Sequence, residues 1–90
     1  MRLIIVELNY STLHVHGATY HVRHLLRTLG FKYDRRGKEW VWRGRNPGDV
    51  NVKEEELSRE LRRCGCYPAG SNYDYFGTMT LRIVYLCPFR

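Results

Sequence analysis

The segment Leu29–Arg45, LGFKYDRRGKEWVWRGR, limits the fold more than any other part of the chain, because it sets a polar turn between two short aromatic-rich runs. Asp34-Arg35-Arg36-Gly37-Lys38 has the chemistry of a type I turn, with the Asp34 carboxylate bonding back to turn amides and Gly37 supplying a positive φ. The flanks then read as strands, Phe31–Asp34 and Lys38–Arg43, closed into an antiparallel hairpin.

Two registers are open to that hairpin, and they place the two indoles on opposite faces. A three-residue loop, Arg35 to Gly37, pairs Asp34 with Lys38, Tyr33 with Glu39, Lys32 with Trp40 and Phe31 with Val41. Trp40 and Trp42 then lie beside Lys32, Asp34 and Lys38, away from a core built on Phe31 and Val41. A four-residue loop through Lys38 shifts the pairing by one and gathers Phe31, Tyr33, Trp40 and Trp42 into an aromatic core. Gly37 stands where the bulge of the shorter loop needs it, so the open-face register is the expectation.

The rest of the chain arranges itself around this hairpin. Leu3 to Leu8 is an almost unbroken aliphatic run that reads as a central strand, with Ile4, Val6 and Leu8 inward. Between Tyr10 and Gly17, Leu13 and Val15 alternate with His14 and His16, which leaves an extra short strand open. Val22, Leu25, Leu26 and Leu29 follow helical spacing, so a helix is expected over 18–29, ended by Gly30. A second helix is expected from Asn51, whose side chain can cap while Glu54 completes a capping box, to Cys64. Leu57, Leu61 and Cys64 form its buried stripe. A loop with Pro68, Gly70 and several Tyr follows, and Thr78–Cys87 closes the chain as a strand with Met79, Leu81, Ile83 and Tyr85 on one face.

The order strand, helix, strand, strand, helix, strand is that of a single α+β domain, 1–90, of the ferredoxin-like split βαβ class. In that topology the first and third strands are central neighbours. The open face would present Leu3, Ile5 and Glu7 beside Trp40 and Trp42, with Thr80, Arg82 and Val84 nearby, too apolar to be simply wet.

Charge directs the choice of partner. The net charge is +6, and 12 of the 15 basic residues are Arg, which forks onto phosphate and stacks on bases as Lys does not. No apolar run approaches bilayer length, and a cytoplasmic protein with no membrane partner is expected. Three Cys, an odd number, fit small buried thiols in a reducing compartment. Cys64-x-Cys66 with Cys87 and four His matches no common zinc spacing, so no metal or other cofactor is expected. The Glu54-Glu55-Glu56 run suits the start of a helix.

An open sheet face with aromatics on its central strands resembles the RNA-recognition motif, which implies bases stacked on those rings. Here Lys38-Glu39-Trp40-Val41-Trp42 lacks that family's glycines. The helix-then-hairpin segment, with Leu29-Gly30-Phe31, Tyr33-Asp34 and Trp40, resembles a small module of nucleic-acid-processing proteins such as the HARP-type helicases, and also the archaeal single-strand-binding ThermoDBP proteins. These resemblances cover about a fifth of the chain and imply nucleic-acid binding. Val15-His16-Gly17-Ala18-Thr19-Tyr20-His21 is similar to the phosphate-cradling loop of acylphosphatases, which implies phosphate held by loop amides. The arginine that holds phosphate in that family is replaced here by His21, and only Asn46 roughly matches its water-positioning asparagine.

The leading expectation is a non-enzymatic binding protein for single-stranded RNA or DNA. Trp40 and Trp42 would stack on bases, each worth about 1–3 kcal/mol. Lys32, Lys38, Arg35, Arg36, Arg43, Arg45 and Arg82 would neutralise phosphates, and Tyr73, Tyr75 and Phe76 would extend the stacking platform. The alternative is an interaction module whose apolar sheet face pairs with another protein or a second copy.

Overall fold

The computed structural model describes residues 2–74 and 80–89, with the backbone alone for 71–74. The chain runs β1 (Arg2–Leu8), β2 (Thr12–Gly17), a 3-10 turn (Tyr20–Val22), α1 (Arg23–Thr28), β3 (Lys32–Asp34), β4 (Glu39–Arg43), α2 (Pro47–Arg63), β5 (Tyr67–Asp74) and β6 (Thr80–Cys87). It is an α+β fold with a six-stranded antiparallel sheet in the order β3-β4-β2-β1-β6-β5.

Four strands were expected and six are found. The alternation of Leu13 and Val15 with His14 and His16 does form a strand, and β2 stands between β1 and the Trp-bearing β4. β1 and β4 are therefore not neighbours. The Tyr-rich segment read as a loop begins as strand β5, hydrogen-bonded to β6.

The core lies on one side of the sheet. Ile4, Val6, Leu8, Leu13, Val15, Trp40, Tyr85 and Cys87 point there and share one buried cluster with Val22 and Leu26 of the α1 segment and Val50, Leu57 and Leu61 of α2. Alternate residues of the same strands, such as Leu3, Ile5 and Val84, face the other way and are partly or largely exposed. Each core aliphatic contributes about 1.5–3 kcal/mol by leaving water.

Helix ends follow local chemistry. Leu29 closes α1, and Gly30 at φ 94° takes the left-handed position after it. The amides of Gly30 and Phe31 return to the carbonyls of Arg27 and Leu26, and Phe31 is buried beyond them, as the sequence implied. The front of α1 is shorter than expected because Tyr20–Val22 winds as a 3-10 turn and Val22, at φ −115° and ψ 11°, breaks it from the helix; before it the Ala18 amide donates to Leu3 O and the Thr19 amide to Gly17 O. At Gly17, φ is 95° and a β-carbon would meet the Leu3 carbonyl, so glycine is required there twice over.

The second helix starts five residues earlier than expected. Asn46, not Asn51, is the cap, its side chain accepting from the Asp49 amide at 3.0 Å while Asp49 Oδ2 accepts from the Arg45 amide at 2.9 Å. Pro47, which reads as turn punctuation, occupies the first helical position, where its missing N–H costs nothing.

The cysteines correct another expectation. Cys66 and Cys87 are joined in a disulfide, and Cys64, expected in the buried stripe of α2, is an exposed free thiol. Tyr67 pairs with Leu86, which sets the residues beside them, Cys66 and Cys87, face to face across the β5–β6 hairpin. Among the described residues no helix is long and apolar enough to cross a membrane.

Candidate functional site

The hairpin decides where the indoles go, and it adopts the longer loop. Lys32 pairs with Val41, Tyr33 with Trp40 and Asp34 with Glu39, leaving Arg35–Lys38 as a four-residue turn. Asp34 Oδ1 accepts from the Arg36 amide at 3.1 Å, as the turn chemistry implied. The left-handed residue, however, is Lys38 at φ 53°, not Gly37. That single exchange moves every side chain of β3 to the other face relative to β4.

Trp40 is consequently core. It is 6% exposed, pairs with Val15 and contacts Tyr33 edge-on at 5.2 Å between ring centroids. Trp42 is half-buried against the same cluster, with the Lys53 ammonium 5.3 Å from its ring centroid. The expected open-face platform of Trp40 and Trp42 beside Leu3 and Ile5 is therefore not formed.

The predicted basic residues divide between the two faces. Lys32 and Arg43 are exposed on the open side, while Arg35, Arg36 and Lys38 stand on the exposed turn and Arg45 on the loop before α2. Arg82 lies on the open face, where it donates to Glu7 Oε2 at 3.3 Å. Tyr75 and Phe76 lie outside the described residues, as does the side chain of Tyr73.

The open face is organised around acid–base pairs. His16 Nε2 and Glu7 Oε1 are 2.6 Å apart, and His14 bridges Glu39 Oε1, at 2.8 Å from Nδ1, and Thr12 Oγ1, at 3.1 Å from Nε2. Burial by itself raises the Glu7 carboxyl. The hydrogen bonds from His16 and Arg82, with the charges of both, outweigh it and hold Glu7 below its ordinary range. This surface spends its polar groups on one another.

On the helix side the structure brings Arg35 and Trp40, both expected to bind, together with Tyr20, Arg23, Arg27 and Tyr33, which were not among the expected site residues. Tyr20, Arg23 and Arg27 recur at spacings of three and four, so they share one face of the turn and helix that precede the hairpin. Beside them stand Tyr33, the edge of Trp40 and Arg35 from the turn, and together with Gly17 and Thr19 they line a groove of about 590 Å³. The Arg23 guanidinium lies 3.9 Å from the Tyr20 ring centroid and donates to Tyr20 O at 2.7 Å. The Arg27 guanidinium is 5.7 Å from the Trp40 centroid.

Among the described residues no acidic side chain lines this groove, and none of its three Arg makes an ion pair. The guanidinium groups of Arg23 and Arg27 are steadied by aromatic rings, with donors left over for a ligand. Its volume lies within the roughly 300–1,000 Å³ usual for small-ligand sites. The usable signal in the sequence was the helical spacing of Tyr20, Arg23 and Arg27 next to Tyr33. Runs of charge in the turn were more conspicuous and less organised.

The loop similar to that of acylphosphatases enters the same groove through Gly17, Thr19 and Tyr20. Its Ala18, Thr19 and Val22 amides already donate to Leu3, Gly17 and Thr19 carbonyls. Those three N–H groups are thus committed within the chain, and the His21 ring packs on Phe89 at 4.8 Å. Among the described residues, no three His, Cys, Asp or Glu side chains gather in a way that would hold a metal ion.

No protein-family model, no curated protein and no solved structure matches the chain.

Proposed function

We propose that this chain binds single-stranded nucleic acid, RNA or DNA, without strong sequence preference and without catalysis, and that it does so along α1 and the β3–β4 hairpin. One observation carries the reading: Arg23, Arg27 and Arg35 converge with Tyr20 and Tyr33 on one groove that holds no carboxylate among the described residues. Phosphates are held by the guanidinium groups, and bases stack on the exposed faces of Tyr20 and Tyr33, which are 68% and 48% exposed. Arg36 and Lys38 extend the basic track along the turn.

A single strand suits the site better than a duplex, because only unpaired bases offer their flat faces to aromatic rings. The resemblance of the helix–hairpin segment to HARP-type and ThermoDBP modules agrees with this partner, although Trp40 acts here as a support for Arg27 and Tyr33. The ferredoxin-like reading survives in part as a proposal: β2, α1, β3 and β4 follow one another as a split βαβ half would, with β4 between β2 and β3.

The test is a titration of a fluorescently labelled mixed-sequence single strand at 50 and 200 mM salt. Three groove contacts, rising to five with Arg36 and Lys38, predict a salt slope between about −2 and −3.5, hence about a 20- to 130-fold loss of affinity across that range. Affinity that is absent at the lower salt, or indifferent to salt, would remove the proposal.

A further inference from the structure

We propose that the open face of the sheet is where a second copy of this chain packs, face to face about a two-fold axis. The core of the contact is an apolar block. Leu3, Leu86 and Tyr67 lie in one row across β1, β6 and β5, and Ile5 and Val84 pair in the next. Leu3 and Tyr67 are 48% and 46% exposed, and Ile5, Val84 and Leu86 are partly exposed. The following row, Glu7 with Arg82, is the polar boundary.

Charge selects a copy of the same chain as the occupant. Among the described side chains of this face, Lys32, Arg43 and Arg82 balance Glu7, Asp34 and Glu39 in number, while the whole chain carries +6. The positive excess therefore lies elsewhere, and two such molecules approach with least repulsion through this face. A polyanion finds no surplus of cations here. Glu7 and Glu39 already have partners in Arg82, His16 and His14, so covering them strands no lone carboxylate.

Size and edges point the same way. The molecule measures 35 × 26 × 25 Å, so a flat face offers roughly 650 to 900 Å², against about 800 Å² per partner in a standard stable interface. Pairing through a sheet edge is disfavoured: β3 has three residues and carries Lys32, and β5 has Pro68 and an irregular register between Pro68 and Gly70. Face-to-face packing leaves both Arg23–Arg27–Arg35 grooves outward, because they lie on the helix side. The inference stands independently of what those grooves bind.

Sedimentation velocity of the full chain from 1 to 200 μM tests it. The expected result is reversible doubling of the 10.8 kDa mass, little changed between 50 and 500 mM salt. Ile5→Glu and Val84→Glu should each weaken the dimer at least 100-fold while the circular dichroism spectrum is kept. Leu3→Lys, at a more exposed position, serves if either variant fails to fold. Val52→Glu, on the exposed side of α2, should leave the dimer intact. A monomer at every concentration overturns the proposal, as does a dimer indifferent to Leu3, Ile5 and Val84. Oligonucleotide affinity lost in Ile5→Glu, in a chain that is monomeric throughout, also overturns it and gives the face to nucleic acid.

Discussion

The two faces of the sheet handle charge in opposite ways. On the open face Glu7 is held by His16 and Arg82, and Glu39 by His14, so the ionisable groups answer one another. In the groove between α1 and the hairpin, Arg23 and Arg27 rest on aromatic rings and meet no acid among the described residues. Paired charge on a half-buried surface is a device of structure. Unpaired cations held by neutral rings are poised toward something outside the chain.

The difference can be broken most forcefully at Trp40. Because its ring is core, Trp40→Ala should cost about 3–5 kcal/mol in denaturant unfolding. A loss under about 1 kcal/mol would mean that the indole faces solvent and that the hairpin register is the other one. Next in size, Arg23→Ala combined with Arg27→Ala should lower single-strand affinity about 10- to 100-fold and reduce the salt slope by about 1.4, with unfolding stability changed by no more than about 0.5 kcal/mol. Equal losses in binding and stability would make these arginines structural and erase the contrast between the faces.

A smaller effect belongs to the open face. Glu7 is held below its ordinary value of 4.5, so its contribution to stability is complete above that pH and is lost as pH falls through the lower folded value. Glu7→Gln should therefore cost about 1 kcal/mol at pH 7, the difference between a charge-assisted and a neutral hydrogen bond, and should flatten the acid limb of the stability profile. Thermal melts of both proteins from pH 7 to pH 2.5 measure it, and an unchanged acid limb would mean that Glu7 is not held by its partners. Smallest of all, Lys38→Gly should raise stability by about 0.5–1 kcal/mol, because glycine takes a positive φ without the strain that Lys38 bears. A destabilised variant would place the left-handed residue elsewhere in the turn.

What the sequence revealed depended on how local the physics was. The Asp34 turn, the Gly30 helix end and the Ile4, Val6 and Leu8 core face are set by neighbours a few residues away, and all were legible. Hairpin register was not, since Gly37 and Lys38 are adjacent and either loop length satisfies Asp34. Choosing between them depends on Trp40 packing against Val15 of β2, which is distant in sequence. The Cys66–Cys87 bridge was hidden for the same reason: an odd count of cysteines says nothing about which two strands will be neighbours. The groove's arginines were present as a spacing, but the pairing of Tyr33 with Trp40 was needed to show what stands opposite them.

The Cys66–Cys87 bridge spans 21 positions, so residues 67–86 of the sequence lie between its two ends. A protease that cuts once inside that stretch leaves two fragments still joined by the sulfur atoms. The nicked molecule travels as one band under non-reducing electrophoresis and separates only when a thiol is added.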